Sequence, residues 1–291
     1  MSERWLVIGA AGQLGTDLLR VLADRPDIEA IGLTRADLDA TDQVAVAKAM
    51  ADVSPAVVLN AAAYTAVDAA ESDEAAAYAA NAGAPGVLAA AAGLAGARLV
   101  HVSTDYVFAG DASTPYDEDA PTEPRSAYGR TKLAGEKAVL AALPEAYVVR
   151  TAWVYGETGA NFVKTMARLE RDHETVSVVD DQRGSPTWSR DLAGGLVALA
   201  DSRSAGGIYH CTNSGETTWF GFTRAIFEEL GADPARVLPT TSDAFPRPAP
   251  RPAYSVLGDR RWRATGLPTM RPWREALHAA FGAAAGSFRP A

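Results

Sequence analysis

Trp5-Leu6-Val7-Ile8-Gly9-Ala10-Ala11-Gly12-Gln13-Leu14-Gly15 stands almost at the start of the chain and decides its fold class. Four consecutive apolar residues stopped by a glycine read as a buried strand. Glycines at 9, 12 and 15 let the backbone turn sharply and come close to a ligand. Leu14, Leu18, Leu19 and Leu22 then follow at helical spacing, so residues 13–24 form a helix whose start faces the strand end. Free N–H groups at such a start attract a pyrophosphate. Strand, glycine turn and helix in this order predict a dinucleotide site with Gly9, Gly12, Gln13, Leu14 and Gly15 as contacts.

The same alternation continues outward. Strands are expected at 28–33, 56–59, 98–103 and 147–150, with helices at 42–51, 71–81, 85–94 and 127–143 between them. Repeated β-α units with short apolar strands predict an α/β, Rossmann-like doubly wound parallel sheet. After Arg150 the pattern weakens. Helices at 161–171, 190–200, 219–230 and 273–281, short strands near 176–179 and 208–210, and a proline-rich extended segment at 239–252 suggest a smaller, interleaved C-terminal substrate-binding lobe. The expected division is 1–151 for the dinucleotide and 152–291 for the substrate.

Bulk properties exclude several classes. In 291 residues the net charge is −9, so the phosphate attraction on which nucleic-acid binders depend is missing. No stretch approaches the apolar length of a membrane helix. Cys211 is the only cysteine, which forbids an intrachain disulfide and, with no secretory signal, leads us to expect a cytoplasmic protein. The four histidines lack zinc-ligand spacing, so no metal is expected.

A second constellation supplies chemistry. Tyr128 and Lys132 lie four apart in Ser126-Ala127-Tyr128-Gly129-Arg130-Thr131-Lys132, on one helix face. An ammonium beside a phenol is expected to lower the phenol's pKa toward working pH, which suits general acid catalysis. His101-Val102-Ser103-Thr104-Asp105 ends the fourth strand, at the sheet edge where ligands bind. Either Ser103 or Thr104 could bond a substrate carbonyl oxygen there. Trp153, just past the fifth strand, could stack on a sugar or base, and Arg183 in a polar turn could meet a diphosphate. For the coenzyme, Arg35 after the second strand favours a 2′-phosphate and hence NADPH over NADH. Asp39 and Ala40 could contact adenine, and the small residues of Asn60-Ala61-Ala62-Ala63 leave room for a flat ring.

These residues stand together in a longer set: Gly9-x-x-Gly12-Gln13-Leu14-Gly15, Asn60-Ala61-Ala62-Ala63-Tyr64-Thr65-Ala66-Val67-Asp68 and Ser103-Thr104-Asp105-Tyr106-Val107-Phe108. Tyr128-Gly129-Arg130-Thr131-Lys132-Leu133-Ala134-Gly135-Glu136, Arg150-Thr151-Ala152-Trp153-Val154-Tyr155, Asp181-Gln182-x-Gly184-x-Pro186-Thr187 and Arg251-Pro252 complete it. The chain resembles the dTDP-4-dehydrorhamnose reductase family, of the extended short-chain dehydrogenase/reductase superfamily, over nearly its whole length. The resemblance implies reduction of the C4 ketone of dTDP-4-dehydro-6-deoxy-L-mannose to dTDP-L-rhamnose by NADPH or NADH. It implies a catalytic triad of Thr104, Tyr128 and Lys132, with Tyr128 giving the proton. It implies coenzyme contacts at Gly12, Gln13, Leu14, Asp39, Ala40, Ala63, Tyr64, Thr65 and Lys132, and sugar-nucleotide contacts at Thr104, Asp105, Tyr128 and Trp153. Some members form a homodimer holding Mg²⁺ through glutamates; Arg190 stands where one such acid would be, which counts against that metal and that dimer here.

Three alternatives belong beside this one. A 4,6-dehydratase resembles Thr-Asp-Glu at the fourth strand end, whereas Tyr106 follows Asp105 here. A reductase of another nucleotide deoxysugar would keep all the residues named. A non-catalytic subunit, like the regulatory subunit of methionine adenosyltransferase, would not need Thr104, Tyr128 and Lys132 together.

Overall fold

A computed structural model of the chain describes residues 2–288. Strand β1 (Glu3–Ile8) leads through the glycine turn into α1 (Gln13–Ala23). Then come β2 (Ile28–Leu33), α2 (Gln43–Val53) and β3 (Val57–Asn60). Side chains alternate across β1: Trp5 and Val7 pack on Leu18 and Leu22 of α1, while Leu6 and Ile8 pack on Val46 and Met50 of α2. A strand buried on both faces between two helical layers is what a continuous apolar run encodes.

Past β3 the chain forms the short helices α3 (Val67–Ala70) and α4 (Glu74–Tyr78), a π-helical turn Ala79–Gly83, and α5 (Ala84–Ala95). The two alanine-rich helices expected here are thus joined without a break through one wide turn. Strand β4 (Arg98–Thr104), helix α6 (Ala127–Ala142) and β5 (Tyr147–Thr151) follow. Gly135 explains the wide turn: a Cβ there would lie 2.0 Å from the Asn81 carbonyl oxygen, so α6 presses directly on the turn's backbone.

The remaining chain builds β6 (Val154–Tyr155), α7 (Phe162–Asp172), β7 (Val176–Val179), β8 (Arg183–Gly184) and β9 (Thr187–Trp188). It continues as α8 (Ser189–Ser202), β10 (Gly207–His210), β11 (Thr217–Thr218) and α9 (Trp219–Leu230). Strand β12 (Val237–Thr240) and helices α10 (Arg260–Ala264) and α11 (Trp273–Phe288) end it. Helices α8 and α10 and strand β10 return to the first layer, α10 through Trp262. Leu192 and Leu196 of α8 join the Trp5–Val7 face, and β10 pairs in parallel with β5. Helices α7, α9 and α11 with strands β7 and β12 pack on their own core around Phe222, Ile226, Phe227 and Val163.

The main sheet has six strands in the order β10-β5-β4-β3-β1-β2, all parallel. The chain steps from β1 out to β2, then returns to the far side of β1 with β3. The crevice outside the carboxyl ends of β1 and β3 is therefore the topological switch point, where open α/β sheets take their ligands.

Candidate active site

A cleft of about 920 Å³ opens at that switch point and runs to the second core. Gly12, Gln13 and Leu14 line its near wall, Ala63 and Thr65 its side, Thr104, Tyr128 and Lys132 its floor, and Trp153 its far side. The glycine turn is tight for a stated reason. Gly9 has φ +82°, and a Cβ on it would sit 2.8 Å from the Ala62 nitrogen. The turn after β1 and the loop after β3 thus touch backbone to backbone. Helix α1 has Gly12 as N-cap, no side-chain cap and no acid in its first turn. Helices α2, α6, α7 and α9 are capped by Asp42, Ser126, Asn161 and Thr218. Uncapped N–H groups facing a cleft fit the pyrophosphate of a dinucleotide.

The loop after β3 is held from behind. Asn60 Oδ1 accepts from the Ala62 N–H at 3.1 Å, and Asn60 Nδ2 donates to His101 Nδ1 at 3.0 Å. Full burial, helped by the Lys132 charge, keeps the His101 imidazole neutral, well below its ordinary pKa. Asn81 reaches out of the π-helical turn to fix Tyr64 at both ends: its Oδ1 accepts from the Tyr64 N–H at 2.8 Å and its Nδ2 donates to the Tyr64 carbonyl at 3.1 Å. The same Nδ2 lies 3.1 Å from Thr131 Oγ1 on α6. Asn81 was not singled out in the sequence, although it is the one amide in a run of alanines and glycines.

Tyr128 and Lys132 share the cleft, and their electrostatics differ from the sequence expectation. Lys132 Nζ donates to the Val102 carbonyl at 2.7 Å. Burial dominates both groups. It pushes Tyr128 up to about 12, against a pull downward from the Thr104 side chain and with a smaller rise from Asp105. It brings Lys132 down to about 8, with Glu136 acting in the opposite sense. Desolvation, not the ammonium, is the dominant influence on the phenol in this structure. A phenol that keeps its proton at neutral pH is in the state a proton donor needs. Thr104 Oγ1 donates to Asp105 Oδ1 at 2.9 Å and accepts from the Tyr106 N–H at 3.3 Å, which leaves it one lone pair to accept from a donor such as the Tyr128 hydroxyl. Asp105 is itself buried, and its carboxyl rises to about 6 for that reason.

Ser103 also lines the cleft, but its hydroxyl is engaged. Its Oγ donates to Glu136 Oε1 at 2.6 Å, and Glu136 pairs with Arg150 through two bonds of 2.8 and 2.7 Å, both side chains being only 2% exposed. Of the two strand-end hydroxyls left open by the sequence, Thr104 is the one directed at Tyr128. Gly129 lets α6 sit this close, since a Cβ there would fall 2.2 Å from the Tyr106 carbonyl oxygen.

Other candidates lie further out. Trp153 lines the cleft but already stacks on Trp219, with ring centroids 3.5 Å apart and planes 6° from parallel. Arg183 is paired with Glu216 at 3.0 Å and does not line the cleft; Arg247 and Arg251 do. Arg35 is exposed on the loop leaving β2, and neither it nor Asp39 and Ala40 lines the cleft. Asp39 accepts from Thr41 at 3.0 and 2.7 Å, a turn that leads into α2. Among the described residues no group of three or more His, Cys, Asp or Glu could hold a metal ion, and no helix is long and apolar enough to cross a membrane.

The family description "RmlD substrate binding domain" matches residues 3–285. A dTDP-4-dehydrorhamnose reductase of Streptomyces griseus is 54% identical over 288 residues, which is 97% of this chain and 94% of that one. A probable dTDP-4,6-dihydroxy-2-methyloxan-3-one 4-ketoreductase of Streptomyces antibioticus is 56% identical over 282 residues, covering 96% and 94%. The crystal structure of a Bacillus anthracis dTDP-4-dehydrorhamnose reductase in complex with NADP superposes with a TM-score of 0.94 at 38% identity, covering 97% of this chain and all of that one. Uncapped α1 facing the switch point, a buried Tyr128 beside Thr104, and a sequence match across both cores agree: the chain belongs to the dTDP-4-dehydrorhamnose reductase family.

Proposed function

We propose that the protein reduces the C4 ketone of a dTDP-4-dehydro-6-deoxy sugar, with dTDP-4-dehydro-6-deoxy-L-mannose converted to dTDP-L-rhamnose. The observation that carries this is a buried phenol, Tyr128, that lines one cleft with Thr104 and Lys132 and faces the same space as the start of α1. NADPH or NADH, when bound, supplies the hydride to C4. The chain supplies the rest. Tyr128 bonds the carbonyl oxygen and gives it a proton as the ketone becomes a secondary alcohol, and Thr104 donates to the same oxygen once its hydroxyl proton swings away from Asp105. Lys132, held by the Val102 carbonyl, presents a positive charge for the nicotinamide ribose hydroxyls. The first turn of α1 receives the pyrophosphate, and Ala62, Ala63, Tyr64 and Thr65 line the ring's path. Residues 1–151 bind the dinucleotide, and the core around Phe222 carries most of the sugar-nucleotide lobe within 152–291.

The relative from Streptomyces antibioticus favours a second reading, reduction of a different dTDP-linked 4-ketosugar. Both sugars use the same floor residues. An assay settles the choice: each dTDP-4-ketosugar is supplied in turn with NADPH and with NADH, and loss of reduced nicotinamide is followed. Decay with the L-mannose derivative supports the first reading; decay only with another sugar supports the second. No decay with any pair removes both.

A further inference from the structure

Two anions must fit the cleft if the reading above holds, the coenzyme pyrophosphate and the diphosphate of the sugar nucleotide. Helix α1 provides for the first. Three cations line the cleft: Lys132, Arg247 and Arg251. Lys132 is buried at the floor and donates to a backbone carbonyl. Arg251 is taken by Asp68 at 2.9 Å and by the Ala249 carbonyl at 3.2 Å. Arg247 is exposed and, among the described residues, has no hydrogen bond or ion pair.

The segment that carries Arg247 is fixed at both ends and open between them. At one end the Ser242 N–H and Oγ each donate to Asp181 at 2.8 Å, and Gln182 Nε2 donates to Ser242 Oγ at 2.8 Å. At the other, the Ala249 N–H donates to Asp68 Oδ1 at 3.2 Å, and Ala249 is buried. Between these anchors lie Phe245-Pro246-Arg247-Pro248, with prolines limiting the backbone freedom. Phe245 is 45% exposed and lines the cleft beside Arg247. A free guanidinium on a stiff, two-point strap is a preorganised partner for phosphate oxygens. The strap is anchored to Asp181 and Asp68 and shares the cleft wall with Gln182 and Trp219, away from β2, which places its anion on the sugar-nucleotide side.

We propose that Arg247 is the diphosphate-binding residue for the sugar nucleotide, and that Phe245 covers the adjoining nucleoside. This rests on the sugar-nucleotide reading of the site. The test is calorimetric titration of dTDP, without coenzyme or turnover, into the intact protein and into Arg247→Ala, Arg247→Lys and Arg183→Ala. Arg247→Ala is expected to weaken dTDP binding by roughly tenfold to a hundredfold, the range of a charge-assisted hydrogen bond, with partial recovery in Arg247→Lys. The KM for the sugar nucleotide rises by the same factor, while affinity for the reduced coenzyme holds. Unchanged dTDP affinity in Arg247→Ala overturns the assignment and leaves the reductase reading intact. A loss in Arg183→Ala instead moves the role to Arg183 and overturns it likewise. If the unmodified protein takes up no dTDP at all, the sugar-nucleotide reading falls and the assignment falls with it.

Discussion

The two walls of the cleft are built on opposite principles. The floor under Tyr128 is buried and braced by two side-chain networks: Ser103, Glu136 and Arg150 form one, Asn81, Tyr64 and Thr131 another. The strap at 242–251 is mostly exposed, held at two points, and leaves Arg247 without a partner among the described residues. Proton transfer needs groups whose desolvation and position are set before the substrate arrives. Anion recognition does not, because the ligand itself supplies the missing partner. Damage to the floor should therefore cost folding or turnover, and damage to the strap only binding.

That contrast can be broken from the floor side. Glu136→Ala leaves the Arg150 guanidinium buried without its partner, and is expected to cost about 3–5 kcal/mol by chemical denaturation. A cost near zero would mean the network is not a foundation. Lys132→Met should separate stability from catalysis. It removes a buried charge, so thermal stability should hold or rise, while turnover falls by roughly a hundredfold or more. The same lysine fixes a pH effect. It is charged below its lowered pKa, so kcat/KM is retained below about 8 and declines as pH rises through that value. Tyr128, held near 12, contributes no limb in this window, and a limb that survives in Lys132→Met would contradict the assignment.

Smaller effects sharpen the comparison. Gly9→Ala forces a side chain into a φ of +82° and against Ala62, which should cost about 1–2 kcal/mol and weaken coenzyme binding with it. Outside both walls, Lys48→Ala breaks an exposed pair with Asp52 on α2 and should change stability by less than about 1 kcal/mol. A large loss there would show that α2 is held from its solvent side, not from the sheet.

Legibility in the sequence follows the same division. The order of β1, turn and α1, the parallel strands, and the four-residue step from Tyr128 to Lys132 are local patterns and could be read directly. The phenol's raised pKa could not, because burial of Tyr128 depends on Tyr106, Tyr64 and Ala70 from distant parts of the chain. Ser103 and Thr104 are equivalent as neighbours in a strand end; only Glu136 and Asp105 distinguish them. Trp153 was visible as an aromatic after β5, but its stack on Trp219 joins residues 66 positions apart (219 − 153). The stretch 239–252 was expected to be extended from its prolines alone. Which of its arginines remains unpaired depends on Asp68, some 180 residues upstream.

The most direct test is single-turnover reduction by Tyr128→Phe. Protein loaded with reduced coenzyme is mixed with the dTDP-4-ketosugar, and the first loss of nicotinamide absorbance is timed. The account predicts slowing by roughly 10²–10⁴-fold, with coenzyme and dTDP affinities close to those of the unmodified chain. An unchanged rate would show that the oxygen at C4 takes its proton from another group.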